Sequence, residues 1–297
     1  MLLLLAACAP QEQAFNPPSQ KPAIEQGAFI AADAERLPMR RWAVKEPRAV
    51  VVAVHGFNDY SNAFEDAGKY FKKRGITTYA YDQRGFGASP HTGVWAGNEN
   101  LTRDLHDFTA LVARRHPKTP VFVWGESMGG AVVMLAEREA PLPVSGIVLQ
   151  APAVWGDEHM PMLYRILLWG MAYTLPEYKM TGQRLKILAS NNIPMLRAMG
   201  RDPLVIKATR VDAMYGLTHL MSAAYESPEY IKRRVLLLYG LKDQVIPRAP
   251  IEATKDRFST AAKTIFYDEG YHMLHRDLQG QEVLADIADW MIGRHKP

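Results

Sequence analysis

The chain has 297 residues, 48% of them hydrophobic and 22% charged, with a formal charge of +4; this is the composition of an ordinary globular protein with a sizeable core, and it excludes a disordered or low-complexity one. Basic residues are scattered (Arg40-Arg41, Lys72-Lys73-Arg74, Arg114-Arg115, Arg233-Arg234) without interleaved aromatics, so the charge reads as solvated surface and not as a nucleic-acid stripe. Cys8 is the only cysteine, which excludes an internal disulfide, and no run approaches the roughly 18 apolar residues a membrane-spanning helix needs.

The first stretch, Met1-Leu-Leu-Leu-Leu-Ala-Ala-Cys8, ends in Leu-Ala-Ala-Cys and resembles the cleavage box of bacterial lipoproteins, whose cysteine becomes a lipidated N-terminus. The apolar part is short and no Lys or Arg precedes it, as expected if the true start lies upstream of Met1. Residues 1–27 are therefore read as a lipobox-like remnant followed by a flexible tether carrying Pro10, Pro17, Pro18 and Pro22. The expectation is a lipoprotein anchored on the periplasmic or cell-surface side of a bacterial membrane; a cytoplasmic protein with an incidental cysteine is the alternative.

Beyond the tether, Ala28 to Ala31 and Pro38 to Val44 predict a short antiparallel pair at a sheet edge. The run Ala49-Val-Val-Val-Ala-Val54 predicts a strand covered on both faces, as does Ile76 to Tyr81, with a helix over Asn62 to Arg74 between them. Leu101, Leu105, Phe108, Leu111 and Val112 form one helical stripe that Pro117 terminates. A strand over Val121 to Trp124, a helix from Ala131 and a strand over Val144 to Leu149 follow. Alternation then stops from Ala153 to about Tyr225, a region holding eight of the fourteen methionines. It resumes with strand Val235 to Tyr239, helix Ala249 to Phe258, strand Thr264 to Tyr267 and a final helix Leu278 to Ile292. This pattern predicts an α/β fold with a mainly parallel, doubly wound sheet: residues 28–152 and 226–297 form the core, and residues 153–225 form a helical cap at the carboxyl edge, where a lid would sit.

Gly125-Glu126-Ser127-Met128-Gly129 lies between a buried strand and a helix, the context of a nucleophile elbow. A serine hydroxyl needs a base and a group that fixes the base's tautomer. In this topology they come from later strand ends in the order acid, then histidine. Asp243 follows strand Val235 to Tyr239, and His272 follows strand Thr264 to Tyr267. Asp243 is taken as the orienting carboxylate and His272 as the general base and acid, with Asp268 as the second choice of acid and His275 as the rival base. The oxyanion donors are expected to be the backbone N–H groups of Met128 and of Phe57, after His55-Gly56. His272-x-x-His275 lacks the further ligands of a metal site, so no metal and no cofactor is expected. Leu163, Leu167 and Met171, in the apolar Pro161 to Thr174 segment, are the candidates for acyl-chain contact or for a surface that touches a membrane.

Taken together, His55-Gly56, Asp82-Gln-Arg-Gly85-Phe-Gly87-Ala-Ser89, Gly125-Glu-Ser127-Met-Gly129-Gly130, Asp243 with Val245-Ile-Pro247, and Gly270-x-His272 resemble the α/β-hydrolase superfamily, in its lysophospholipase and monoacylglycerol lipase branch. The resemblance covers roughly Ala28 to Ile292. Two positions differ from that branch: Glu126 stands where histidine is common, and Asn58-Asp59-Tyr60 replaces the usual Gly-Glu-His. Both bear on the polar head group more than on the acyl ester. What the resemblance implies is a serine hydrolase that cleaves carboxylic esters of the monoacylglycerol or lysophospholipid type through an acyl-enzyme, with lipid as its partner and no nucleic acid. Alternatives are the same fold running perhydrolase or carbon–carbon hydrolase chemistry, or a non-catalytic lipid-binding member; an aspartate-nucleophile hydrolase is disfavoured because Ser127 occupies the elbow.

Overall fold

The structure is a computed structural model that describes residues 9–182, 187–260 and 262–293; Cys8 lies outside the described residues. Its frame is a nine-stranded sheet. In chain order the strands are β1 (Ala23–Glu25), β2 (Ala28–Ile30), β3 (Arg36–Trp42), β4 (Ala49–Val54), β5 (Ile76–Tyr81), β6 (Val121–Glu126), β7 (Gly146–Gln150), then, after an excursion, β10 (Val235–Gly240) and β11 (Lys263–Tyr267). The excursion carries its own antiparallel pair, β8 (Lys179–Thr181) and β9 (Ala208–Arg210).

The order across the sheet is β1-β2-β3-β5-β4-β6-β7-β10-β11. From β5 to β11 every neighbouring pair is parallel, and the β1 to β3 edge is antiparallel, so the sheet is mainly parallel as expected. Alternation along the strands explains the two cores. Val50, Val52 and Val54 of β4 enter one apolar cluster, and Ala49, Val51 and Ala53 enter the other. β6 divides in the same way, Val121 and Val123 against Phe122 and Trp124. A strand whose residues are apolar on both faces must be covered on both.

Helices α2 (Asn98–Arg115), α3 (Met128–Glu139) and α7 (Arg248–Asp256) cover the first face, through residues such as Leu105, Phe108, Val132 and Ile251. On the other face lie α1 (Glu65–Lys73), entered through a 3₁₀ turn Ser61–Phe64, and α8 (Gly280–Ile292), which contribute Phe71, Ile287 and Trp290. Between β7 and β10 the chain builds α4 (Met162–Thr174), α5 (Ile193–Arg201) and α6 (Val211–Tyr225). Gly216 lets α6 sit on Trp95, since a Cβ there would overlap the indole.

The segment expected to be a free tether is not free from Gln11 onward. Gln13 N–H donates to Trp95 O at 2.9 Å, Arg103 lies over the Phe15 ring at 4.2 Å, and Ser19 N–H donates to Ala32 O at 2.7 Å. Residues 23–25 then pair with β2 as an extra edge strand. Polar, proline-rich composition indicated solvation, but extended backbone of that composition also satisfies its hydrogen bonds by lying along a folded body.

Candidate active site

The site forms at the carboxyl ends of the parallel strands, where loops from β4, β6, β10 and β11 converge. β6 enters the turn at Glu126, and α3 begins at Met128, so the whole reversal falls on Ser127. Its backbone has φ 52° and ψ −117°, a left-handed conformation that a residue with a Cβ holds at a cost of about 1 to 3 kcal/mol. The turn is fastened on both sides: Ser127 N–H donates to Gln150 O at 2.9 Å, and Ser127 O accepts from Ala131 at 3.1 Å and Ala153 at 3.0 Å. The flanking glycines are needed for close approach. A Cβ on Gly129 would overlap the Val54 carbonyl, and one on Gly125 would meet the backbone of Gly129 and Gly130 at 2.5 Å.

Asp243 lies in the turn after β10. Its Oδ1 accepts from Val245 N–H at 2.7 Å and Ile246 N–H at 3.0 Å, which turns Oδ2 toward the imidazole of His272, 2.8 Å from Nδ1. Burial disfavours charge on His272, but the Asp243 carboxylate, by its charge and its hydrogen bond, outweighs that, and the pKa is raised from its ordinary 6.5. With Nδ1 donating to Asp243, Nε2 is the nitrogen left to accept a proton. Ser127 and His272 line one cavity of about 340 Å³, together with Gly56, Phe57, Ala153, Trp155, Leu217, Met221 and Ile246.

The rivals are elsewhere. His275 Nδ1 is 3.1 Å from Gln150 Oε1 and Nε2 is 3.1 Å from Ala63 O, and its ring stacks on Phe64; burial lowers its pKa, and with both ring nitrogens engaged it packs as a structural histidine. Asp268 is exposed beyond the end of β11. His55 accepts from Gln83 N–H at 2.9 Å through Nε2 and turns Nδ1 to Gly56 O at 2.8 Å, so it is neutral and shapes the loop after β4. Among the described residues the N–H groups of Phe57 and Met128 have no protein acceptor, and Met128 stands at the N-terminal end of α3, where free N–H groups favour negative charge.

The expected substrate contacts need correction. Leu163, Leu167 and Met171 do not line the Ser127 cavity: Leu163 is 62% and Leu167 55% exposed, and Met171 is half-buried. The reason is that α4 is apolar around most of its circumference, interrupted by Arg165, and buries only Ala172, so its composition does not reveal which side faces inward. The large cap residues that reach the cavity are Trp155, with Leu217 and Met221, an i, i+4 pair on α6, beside the small Ala153 and Ala189. A second cavity of about 360 Å³ takes Tyr215, Thr218 and His219 of α6 with Ile166 and Trp169 of α4, and none of the Ser127 loop residues.

One group at the site escaped notice in the sequence. Arg276 donates to Asp59 Oδ2 at 2.7 Å and to the two Glu126 oxygens at 3.2 and 3.4 Å, and all three residues line the cavity. The departures at Glu126 and Asp59 were visible, but the cation that joins them was not. Above them, Asn58 donates to Thr209 Oγ1 at 2.7 Å and the Tyr60 hydroxyl to Asp202 Oδ2 at 2.7 Å, tying the loop after β4 to the cap.

Residues 45–279 match the family Hydrolase_4, serine aminopeptidase S33. The chain belongs to this family. Among curated relatives of this Hydrolase_4 chain, the monoglyceride lipase of Rattus norvegicus is 25% identical over 274 residues, covering 90% of each chain. The monoacylglycerol lipase of Mycolicibacterium smegmatis is 28% identical over 261 residues, covering 83% of this chain and 89% of its own. The fold is that of the monoacylglycerol lipase from Paleococcus ferrophilus, with a TM-score of 0.74 at 24% identity over 87% of this chain and 99% of that one. A soluble variant of the Saccharomyces cerevisiae monoglyceride lipase, in complex with a substrate analogue, gives a TM-score of 0.75 at 18% identity, covering 97% and 98%. The α/β-hydrolase architecture and the family are as the sequence motifs implied.

Proposed function

We propose that this protein is a serine carboxylic-ester hydrolase that cleaves monoacylglycerol-type esters through an acyl-enzyme. The observation that carries the reading is the Asp243–His272 hydrogen bond opening onto the same cavity as a serine on a strained elbow. Ser127 Oγ attacks the ester carbonyl while His272 Nε2 accepts its proton. The carbonyl oxygen gains negative charge and is met by the N–H groups of Phe57 and Met128. Collapse of the tetrahedral species returns the proton to the alcohol, which leaves, and water repeats the cycle on the acyl-enzyme. The names and lengths of the relatives favour a monoacylglycerol as substrate, and the cavity has apolar walls at Trp155, Leu217 and Met221 for its chain.

The reading extends to a lipid surface. On α4, Met162 is 72% and Leu163 62% exposed, and Tyr164, Ile166, Leu167 and Trp169 are exposed beside them. Contiguous apolar exposure of this kind suits contact with lipid. No helix among the described residues is long and apolar enough to cross a membrane. Lipid on Cys8 would supply the anchor, on the periplasmic or cell-surface side.

A fluorophosphonate probe tests the chemistry: labelling is expected at Ser127, with loss of monoacylglycerol hydrolysis in Ser127→Ala. Absence of label on folded protein, or hydrolysis that survives Ser127→Ala, refutes it. Intact mass of the native protein tests lipid on Cys8.

A further inference from the structure

Three loops carry the candidate chemistry, and one buried guanidinium touches all of them. Asp59 lies two residues beyond Phe57 in the loop after β4, Glu126 immediately precedes Ser127, and Arg276 follows His272 in its own loop. Arg276 reaches Asp59 at 2.7 Å and Glu126 at 3.2 Å with its side chain 10% exposed, while Glu126 is 2% and Asp59 5% exposed. Arg276 Nε, also buried, has no partner among the described residues.

Stability does not explain such a group. Removing two carboxylates and a guanidinium from water costs several kcal/mol per ion, and apolar residues of equal volume commonly serve a fold as well or better. A planar fork held between carboxylates has instead a geometric property: it fixes direction as well as distance, which a lysine or an apolar contact does not.

We propose that Arg276 is a positioning residue, clamping Glu126 and Asp59 so that the nucleophile, the oxyanion donor and the base keep their register. The inference rests on reading Ser127 and His272 as nucleophile and base. The clamp also acts on the base by charge. Around His272 stand Asp243 after β10, Glu126 at the end of β6, Asp59 behind Arg276, and His275, Arg276 and Asp277 of its own loop. Beyond burial and the dominant Asp243, Glu126 favours the imidazolium and Arg276 disfavours it.

The two halves of the clamp therefore have opposite signatures, which a purely structural role would not produce. The full chain and the variants Glu126→Gln, Arg276→Met, Arg276→Lys and the Gln/Met double variant are compared by fluorophosphonate labelling rate and by kcat and KM on p-nitrophenyl butyrate from acid to neutral pH. Each single removal is expected to lower kcat by about ten- to a hundredfold with KM little changed, the loss expected of misplaced groups. The acid limb moves down in Glu126→Gln, up in Arg276→Met and back toward wild type in the double variant; Arg276→Lys recovers part of kcat. If Arg276→Met does not fold, the near-isosteric Glu126→Gln and the charge-keeping Arg276→Lys carry the test. Folded variants with kcat within about twofold of wild type, or single variants whose limbs move together, overturn the clamp. In that case a wild type still labelled at Ser127 leaves the catalytic reading intact, whereas an unlabelled wild type overturns both.

Discussion

His272 and Asp243 stand 29 residues apart and share one hydrogen bond, Nδ1 to Oδ2 at 2.8 Å, while the other carboxylate oxygen is held by two backbone N–H groups. The carboxylate is thus aimed before any substrate arrives, and the imidazole tautomer follows from it. Asp243→Asn keeps the shape and loses that control. We expect kcat to fall by roughly three to four orders of magnitude, with little change in thermal midpoint, in a comparison of ester turnover and differential scanning calorimetry.

The same pair sets a pH dependence. A general base works only when neutral, and the His272 pKa lies above 6.5, so activity is lost as pH falls through that raised value. The acid limb of kcat/KM is expected above 6.5, and Asp243→Asn moves it down. Stability runs the other way. A raised pKa means that folding favours the imidazolium, so this contribution is complete below 6.5 and disappears as pH rises through the folded value. Rate profiles alongside urea midpoints at matched pH check both signs.

The elbow stores strain at Ser127, where φ is 52°. Glycine holds that conformation without a Cβ clash but loses more chain entropy on folding. Ser127→Gly is expected to be more stable than Ser127→Ala by about 1 kcal/mol, or about 2 °C in Tm, both being inactive. A Ser127→Gly midpoint clearly below that of Ser127→Ala, as chain entropy alone would give, would mean that the turn is not strained.

Cap residues divide by what they touch. Leu163→Glu with Leu167→Glu alters an exposed face and is expected to lower binding to phospholipid vesicles about tenfold or more, leaving turnover of a soluble short ester unchanged. Met221→Trp fills the cavity instead and is expected to shift preference toward shorter acyl chains. Vesicle sedimentation and a p-nitrophenyl ester series of graded length separate the two effects.

Much of this architecture is written locally. β4 as Ala-Val-Val-Val-Ala-Val and β10 as Val-Leu-Leu-Leu-Tyr announce buried strands because both faces must be apolar, and the sharp turn at Ser127 follows from glycines at two residues either side. The placement of Asp243 and His272 after successive strands could be read because parallel strands end at one edge. Other features have no local signature. Arg276 meets Glu126 across 150 positions and Asp59 across 217, and no spacing rule links them. α4 is apolar on most sides, so its exposed leucines look the same in sequence as the cavity-lining Leu217 and Met221 of α6. The docked stretch around Gln13 reads like a free linker because its attachments are backbone hydrogen bonds and polar or aromatic contacts to residues some 80 to 200 positions away, such as Gln13 to Val94 O and Phe15 under Arg103, which no local pattern announces.

That docking has a mechanical consequence. Gln11 is already gripped at the start of α6, its N–H 3.4 Å from Asp212 Oδ2 and its Oε1 accepting from Arg210 at 3.0 Å. Only Ala9 and Pro10 then separate that grip from position 8, three steps of chain or about 10 Å at full extension. An acyl group on Cys8 would work as a short leash, fastening the enzyme by its cap side and denying it the freedom to tumble beneath the bilayer. Finding a lipid substrate would then become a planar search by lateral diffusion.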